Sequence, residues 1–237
     1  MNLCLYEDPA VRSFGPPALL RPVFGLRCGA FTLVEKLVRA FPDASLTLMV
    51  RPELEEWTRY LYPTAHIGEP PAEETLFLNG RLCMTDDEML HFLAASKGEA
   101  SFLSEGTLFA AKVAGHRVAH AAKHLRAGDP ETAFQDLRYP AEVNAFVARS
   151  AADLIRWSPR QIVQDFRYAF QPGTVRGAID PGAQLLQPDA VHVARGARVM
   201  AGAVLNAEGG PILIQENAVI EPLAYVEGPA VVGEGSR

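Results

Sequence analysis

The chain has 237 residues, 49% of them hydrophobic, and a formal net charge of −6 at pH 7. Its length fits one large or two small domains, and its apolar content excludes a wholly disordered protein. The acidic balance argues against a general nucleic-acid-binding protein, and no stretch approaches the ~20 apolar residues of a membrane-spanning helix. The first residues lack a signal-peptide pattern, and three scattered cysteines form no CxxC pair. We therefore predict a cytoplasmic protein that binds neither nucleic acid nor membranes.

Strand and helix patterns alternate over the first two-thirds of the sequence. The predicted strands are "NLCLY", "SLTLMV", "TLFLNG" and "GTLFAAKV". The predicted helices are "AFTLVEKLVRAF", "ELEEWTRYLY", "TDDEMLHFLAAS" with a Thr cap, "GHRVAHAAKHLRAG" and "PAEVNAFVARSAADLIRWS", and "PRQIVQDFRYAF" is interpreted as a bridge. This alternation predicts an α/β layer with a mostly parallel sheet. Ligands of such sheets bind beyond the carboxyl ends of strands, here after "NLCLY", "TLMV" and "TLFL".

The segment after the first strand, "EDPAVRSFGPPALLRPVFGLRCGAF", combines Gly and Pro residues with three arginines. Arg12, Arg21 and Arg27 are fixed cations in an acidic chain, and guanidinium groups match phosphate oxygens in pairs. A helix that begins near Gly29 would add its N-terminal amides. We interpret the segment as a candidate triphosphate-binding loop. The alternative is a solvated loop whose arginines pair with Glu7 and Asp8.

The last third of the sequence repeats an aliphatic residue every six positions. The repeated positions are Val193, Val199 and Leu205, then Ile214, Ile220, Val226 and Val232, each followed four residues later by Ala, Gly or Ser. Ile179 and Leu186 extend the pattern with a step of seven, and "AEGGP" is interpreted as an inserted loop. A helix repeats at 3.6 and a strand at 2, so neither explains a period of six. A coil of short flat faces explains it, whereas a β-sandwich would need coincidental spacing.

The two parts together resemble the architecture of bifunctional bacterial enzymes that make UDP-N-acetylglucosamine. The sequence is more similar to a divergent branch, the sugar nucleotidyltransferases related to that N-acetylglucosamine-1-phosphate uridyltransferase/glucosamine-1-phosphate acetyltransferase. The resemblance is carried by "LLRPVFGLRCGAFTLVEK", "LFLNGRL" and "EGPAVVGEGS". It implies an α/β nucleotidyltransferase-like domain over residues 1–172. It also implies an incomplete left-handed parallel β-helix of hexapeptide repeats over residues 173–237.

The reaction implied by this resemblance is attack of a sugar-1-phosphate on the α-phosphate of a nucleoside triphosphate, with release of pyrophosphate. The chain lacks the glycine-rich turn of mainstream relatives, but Arg12 and Arg21 match their two phosphate-binding cations by position and are the predicted catalytic residues. The predicted substrate-binding or nucleotide-binding residues are Asp8, Arg27, Gly29, Asn79, Gly80, Arg81 and Asn144. The family implies Mg²⁺, for which Asp86 and Asp165 are the candidate ligands. Asp86 and Asp87 also fit the first turn of a helix.

Relatives with a full coil are trimers that bind acetyl-CoA between neighbouring subunits. The acetyl-transferring part would lie beyond Arg237, so we expect a homotrimer, and acetyl-CoA as a ligand only if the full coil is present. One alternative is a hexapeptide acyltransferase alone, with His192 as the base. Another is a non-catalytic trimerising protein that binds sugar nucleotides. A zinc-dependent coil enzyme is disfavoured, because it needs several His ligands and the coil has only His192.

Overall fold

The computed structural model describes residues 1–83, 87–137 and 142–237, without the side chains of Asp87 and Glu88. The described chain divides into two compact units. The first unit comprises Met1–Arg27 and Phe31–Ile155, and the second comprises Cys28–Ala30 and Arg156–Arg237. None of the helices in the described ranges has the length and apolar character needed to traverse a bilayer.

Within the described ranges, ten strands and seven helices precede the repeats. The strands are β1 (Asn2–Tyr6), β2 (Arg27–Cys28), β3 (Phe31–Thr32), β4 (Ser45–Met49), β5 (His66–Ile67), β6 (Thr75–Asn79), β7 (Leu82–Cys83), β8 (Ala100–Ser104), β9 (Thr107–Val113) and β10 (Phe146–Val147). The helices are α1 (Pro16–Leu19), α2 (Leu33–Ala40), α3 (Glu55–Leu61), α4 (Asp87–Ala95), α5 (Gly115–Arg126), α6 (Pro130–Ala133) and α7 (Ala151–Ala169). Short 3₁₀ helices span Pro9–Phe14, Val23–Gly25 and Pro52–Leu54.

The first unit contains a six-stranded sheet with the order β5-β4-β1-β6-β9-β8. Strands β5, β4, β1 and β6 run parallel, and β9 and β8 are antiparallel additions. The central strand ends level with both neighbours, because Tyr6 pairs with Met49 on one side and with Asn79 on the other. The prediction of a mixed α/β layer with a mostly parallel sheet is therefore confirmed. The segments that follow β1, β4 and β6 leave the sheet at one common edge.

Apolar residues of β1 alternate between the two faces of this sheet. Leu3 and Leu5 pack in a core with residues of α2 and α4. Cys4 and Tyr6 pack in a second core with residues of α5 and α6. Burial on both faces explains why "NLCLY" is almost continuously apolar instead of alternating with polar residues.

The segment before α7 corrects the sequence prediction. "PAEVNAFVARS" was predicted as helical, but its described part from Glu142 onward contains β10, whose Phe146 pairs with Cys83 of β7. This pairing overrides the local helix propensity. The segment interpreted as a bridge is helical, because α7 continues through Pro159, which costs one intrahelical hydrogen bond. The predicted Thr cap of α4 lies outside the described residues.

The repeats form three parallel three-stranded sheets, β11-β14-β17, β12-β15-β18 and β13-β16-β19. Their strands are β11 (Ala178–Ile179), β12 (Gln184–Leu186), β13 (Val191–Val193), β14 (Arg198–Val199), β15 (Val204–Asn206), β16 (Ile212–Ile214), β17 (Val219–Ile220), β18 (Tyr225–Glu227) and β19 (Ala230–Val232). The chain visits the sheets in turn. Ala178 pairs with Arg198, Arg198 with Val219, and Ile212 with Ala230, so each circuit takes 18–21 residues. Predicted repeat positions such as Val199, Leu205 and Ile214 fill the core between the sheets.

One predicted repeat position is wrong by a single residue. Leu185, not Leu186, packs against the core and pairs with Leu205, whereas Leu186 is 39% exposed. The step from Ile179 is therefore six. The extra residues enter after β12, where Gln187 has a φ of 56° and a 3₁₀ turn spans Pro188–Ala190.

Candidate functional site

A cavity of about 370 Å³ lies at the edge of the sheet where β1 and β4 end. Its wall is formed by residues 6–9, 11–12, 49–52 and 125–128, all in the first unit. The first two groups end β1 and begin the following turn, the third ends β4, and the fourth ends α5. The cavity therefore occupies the position where parallel α/β sheets bind their ligands.

Three arginines line this cavity, and they differ in how far their charge is neutralised. Arg12 is exposed and, within the described part of the chain, its guanidinium makes no ion pair. Arg51 is 22% exposed and pairs with Glu7 at 3.1 Å. Arg126 pairs with Glu69 at 3.1 Å and with Glu55 at 3.3 Å. Arg12 thus contributes the cationic charge that the nearby carboxylates leave uncompensated.

Glu7 holds Arg51 in one orientation. The Glu7 side chain is 2% exposed and accepts hydrogen bonds from Arg51 Nε at 3.1 Å and from the backbone N–H of Val23 at 2.8 Å. Arg51 Nη2 also donates to the Ala18 carbonyl at 2.6 Å. Burial raises the pKa of Glu7, although Arg51 and the backbone donors favour its charged form. The guanidinium of Arg51 is therefore fixed at the cavity wall by two independent contacts.

Three predicted site residues meet in one buried network beside the cavity. Arg81 Nη2 lies 2.6 Å from Asp8 Oδ2, and Arg81 Nε lies 2.9 Å from Asp8 Oδ1. Asn79 Nδ2 donates to Asp8 Oδ2 at 2.8 Å, and its own Oδ1 accepts from the Arg81 N–H at 3.0 Å. Asp8, Asn79 and Arg81 therefore use their polar atoms mainly on one another.

Tyr6 contributes a buried hydroxyl group to the region of the cavity. The residue lines the cavity, and its buried hydroxyl has no hydrogen-bond partner among the residues described. Burial raises the pKa of this phenol, and the charge of Asp8 raises it further. The side chain of Asn79 acts in the opposite direction and lowers this pKa.

Arg21 and Arg27 lie apart from the cavity wall. Both are exposed, and Arg27 pairs with Glu35 at 3.6 Å. Both also contribute positive charge around Tyr62, whose pKa is raised chiefly by burial. Arg12 therefore lies at the cavity, whereas Arg21 and Arg27 lie beside Tyr62. The alternative in which these arginines pair with Glu7 and Asp8 is wrong, because those carboxylates pair with Arg51 and Arg81.

Gly29 and Asp165 come together within the second unit. The Gly29 N–H donates to Ser158 Oγ at 3.1 Å, and the Ala30 N–H donates to Asp165 Oδ2 at 2.8 Å. Gly29 has a φ of 87°, and a Cβ added there would overlap Asp165 Oδ2. Close packing therefore accounts for this glycine.

The remaining predicted residues are Gly80, Asn144 and Asp86. Gly80 is buried in a turn, and a Cβ added there would lie 2.9 Å from a ring carbon of Phe24 and 3.1 Å from the Tyr6 carbonyl. Asn144 is exposed in an extended segment before β10. Asp86 lies outside the described residues. Of these three, Gly80 directly follows Asn79 of the buried network.

Of the two candidate Mg²⁺ ligands, Asp86 lies outside the described residues and Asp165 lies in the second unit. Among the described residues, no group of three or more His, Cys, Asp or Glu side chains could hold a metal ion. The carboxylate of Asp8 is committed to Arg81 and Asn79, and that of Asp165 accepts from Ala30. We therefore assign no step of the chemistry to a metal held by these side chains.

Two cavity residues, Arg51 and Arg126, were not among the predicted site residues. Arg51 directly follows the predicted strand "TLMV", but nothing in the local sequence marks it as a partner of Glu7. Arg126 ends a helix, where a basic residue is also explained by the helix dipole. Their position at the cavity wall follows only from the folded structure, which brings segments together that are distant in the sequence.

A family model described as sugar nucleotidyl transferase matches residues 3–171. The match covers more than half of the chain and supports nucleotidyl transfer, with nucleotide and sugar phosphate substrates, as the general activity. No curated protein matches the sequence.

Proposed function

Because this chain belongs to the sugar nucleotidyl transferase family, we propose that it transfers a nucleotidyl group from a nucleoside triphosphate to a sugar-1-phosphate. The leading substrate pair is UTP with N-acetylglucosamine-1-phosphate, which is supported by the resemblance of "LLRPVFGLRCGAFTLVEK" and "LFLNGRL". The observation that carries the proposal is the cavity beyond β1 and β4, with Arg12 unpaired in the described chain and Arg51 fixed by Glu7.

The cavity provides cationic donors for a triphosphate. Arg51 donates from Nε and Nη2 to protein oxygens, and within the described chain its Nη1 group makes no hydrogen bond. That nitrogen can therefore donate to a phosphate oxygen, while Arg12 supplies a second, exposed guanidinium. Donors that are already oriented stabilise developing charge more effectively than donors that must reorganise. Glu7 and Asp8 do not repel the phosphates as free anions, because each is paired with an arginine.

The proposed reaction is a single displacement at phosphorus. An oxygen of the sugar-1-phosphate attacks the α-phosphorus, the bond to the β-phosphate oxygen breaks, and pyrophosphate leaves. No covalent enzyme intermediate is needed, so the protein contributes alignment and charge stabilisation. Arg12 and Arg51 would stabilise the pyrophosphate as it departs, and the Tyr6 hydroxyl is a further candidate donor at the same wall.

We also propose that residues 173–237 form a left-handed β-helix of hexapeptide repeats and assemble the chain into a homotrimer. The support is the stacking of three parallel sheets and the 18-residue circuit from Ile212 to Ala230, which equals three hexapeptides. Light scattering should then give three times the 25.7 kDa chain mass. A mass of one chain at working concentrations would contradict the trimer and leave the nucleotidyl transfer untouched.

A panel of nucleoside triphosphates and sugar-1-phosphates, scored by pyrophosphate release in the presence of magnesium chloride, tests the proposed activity. We expect turnover with one favoured pair. Arg12→Ala should lower kcat/KM by about 10²–10³-fold, the range for losing one preorganised charge-stabilising donor. Arg195→Ala, at an exposed position in the second unit, is the control and should leave turnover unchanged.

Two results would contradict the proposal. One is a panel without pyrophosphate release from any pair, and the other is wild-type turnover in Arg12→Ala. A rise in Tm with UTP but no turnover would favour the non-catalytic sugar-nucleotide-binding alternative, because a ligand that binds the native state stabilises it. A rise with acetyl-CoA alone would favour the acyltransferase alternative.

A further inference from the structure

We infer that Arg81 is a positioning residue that acts through Asp8 to hold the turn presenting Arg12 to the cavity. The inference rests on the proposed function, since Arg12 is the cation that we assign to the triphosphate. The sequence prediction placed Arg81 and Asp8 in contact with substrate. The contacts described below give them an indirect role instead.

Arg81 is almost fully engaged by protein groups. Its side chain is 7% exposed and meets the 8% exposed Asp8 through two parallel contacts, Nε to Oδ1 at 2.9 Å and Nη2 to Oδ2 at 2.6 Å. Its third nitrogen, Nη1, donates to the Ala148 carbonyl at 2.8 Å. A two-point contact between a guanidinium and a carboxylate fixes orientation as well as distance. Arg81 therefore clamps Asp8 in one position.

Asp8 in turn starts the short 3₁₀ helix Pro9–Phe14, which contains Arg12. Its Oδ1 accepts from the Ala10 N–H at 3.1 Å, and its carbonyl accepts from the Val11 N–H at 3.2 Å. A helix of this type has weak internal hydrogen bonds and is stable only in short pieces, so its capping residue matters. Val11 and Phe14 are buried on one side of this helix, while Arg12 is exposed and lines the cavity. Displacing Asp8 would therefore displace Arg12.

Asn79 is the third member of the network, and its hydrogen bonds leave the polar atoms of the three residues little capacity to bond to substrate. It donates to Asp8 Oδ2 at 2.8 Å and accepts from the Arg81 N–H at 3.0 Å. Both oxygens of Asp8 are thereby used at least twice. A buried ion pair seldom stabilises a fold more than apolar packing would, so a geometric role explains this pair better than a contribution to stability. The geometry that it fixes is the path of the chain from β1 to Arg12.

Hydrogen exchange and a double-mutant cycle together test the inference. Arg81→Lys keeps the positive charge but loses the two-point contact with Asp8 and the bond to Ala148. We expect faster amide exchange in residues 9–15 and unchanged exchange in α5 and the repeats. In the pyrophosphate assay kcat/KM should fall about tenfold. In an Arg12→Ala background the same substitution should have almost no further effect, because interacting residues are non-additive.

Arg149→Lys is the matched control, since Arg149 is exposed and pairs with Glu105 at the surface, at 2.9 Å. It should change neither exchange in residues 9–15 nor turnover. If Arg81→Lys fails to fold, Asp8→Asn replaces it, because Asn keeps one side-chain oxygen that can cap the turn but loses the charge and the second acceptor of the two-point contact with Arg81. The same exchange pattern and the same cycle with Arg12→Ala are expected for it.

The outcomes separate this inference from the proposed function. Unchanged exchange in residues 9–15 overturns the positioning role, whatever the activity of the wild type. Faster exchange with additive losses in kcat/KM overturns the link to Arg12. Faster exchange in Arg81→Lys, together with no wild-type turnover on any substrate pair, would contradict the proposed function. It would still support the conclusion that Arg81 holds the turn.

Discussion

The first unit and the repeats of residues 173–237 treat polar residues in opposite ways. In the first unit Asp8, Asn79 and Arg81 are at least 91% buried and bond to one another next to a cavity. In residues 173–237, all of which are described, the buried positions are held by Val, Leu, Ile, Ala, Gly and Pro, and no charged side chain is buried. Arg198 and Asp180 there pair at the surface. Because burying charge is costly, the contrast indicates that the first unit maintains a geometry for chemistry and that the repeats form a packed support.

The largest expected effect compares two ion-paired arginines, one from each unit. Arg51→Ala should lower kcat/KM by about 10²–10³-fold, because it removes a preorganised donor from the cavity. Arg198→Ala removes a surface pair with Asp180 and should leave kcat/KM within about twofold. Steady-state pyrophosphate release measures both. Equal losses of kcat/KM in the two variants would contradict the assignment of the chemistry to the first unit.

A second comparison tests the packing of the repeats. Leu205 is fully buried, so Leu205→Ala should lower the free energy of unfolding by about 2–5 kcal/mol through lost packing and a cavity. Leu186 is 39% exposed, and Leu186→Ala should change that free energy by less than about 0.5 kcal/mol. Chemical denaturation followed by circular dichroism measures both. A larger loss in Leu186→Ala than in Leu205→Ala would mean that the assignment of the inward-facing leucines is wrong.

A third comparison separates backbone strain from close packing at glycines. Gly29 and Gly106 have φ values of 87° and 72°, so an alanine at either is strained by about 1–2 kcal/mol. Only Gly29 also has neighbours in contact, Asp165 and Gln161. Gly29→Ala should therefore lower Tm more than Gly106→Ala. Equal shifts in differential scanning calorimetry would show that the packing at Gly29 adds nothing to the backbone term.

The smallest expected effect is a pH dependence of the second unit. Burial and, secondarily, Arg176 lower the pKa of His192, so the folded protein binds fewer protons there than the unfolded chain. The free energy of unfolding should therefore decrease as the pH falls through about 6.5, where the unfolded imidazole becomes charged. His192→Gln should reduce this dependence between pH 7 and pH 5. His116→Gln, at an exposed position, is the control, and identical pH profiles for the wild type and His192→Gln would contradict the expectation.

The sequence predicts the repeats well, because their contacts join residues only one circuit, or 18–21 residues, apart. A step of six places Val193, Val199 and Leu205 in one core, because each aliphatic residue packs on its counterpart one circuit away. The misplacement of Leu186 arose where two corner residues break the period. Pro159 suggested a helix end, but a buried face that includes Ile162 and Phe166 keeps α7 continuous.

The candidate site was harder to predict, because its contacts join segments that are far apart in sequence. Composition and strand order located the edge of the sheet, and Arg12 was identified there. The choice between substrate contact and internal pairing for Asp8 depended on Arg81, 73 residues away. The pairing of Glu7 with Arg51 likewise spans 44 residues. A pattern of residue types identifies groups capable of binding phosphate but not which carboxylates neutralise them.

A crystal structure with a non-hydrolysable nucleoside triphosphate analogue tests the central claim most directly. The account predicts phosphate oxygens in the cavity beyond β1 and β4, within about 3 Å of guanidinium nitrogens of Arg12 and Arg51. Phosphates held instead by Arg21 and Arg27 beside Tyr62, with the cavity filled only by water, would contradict it.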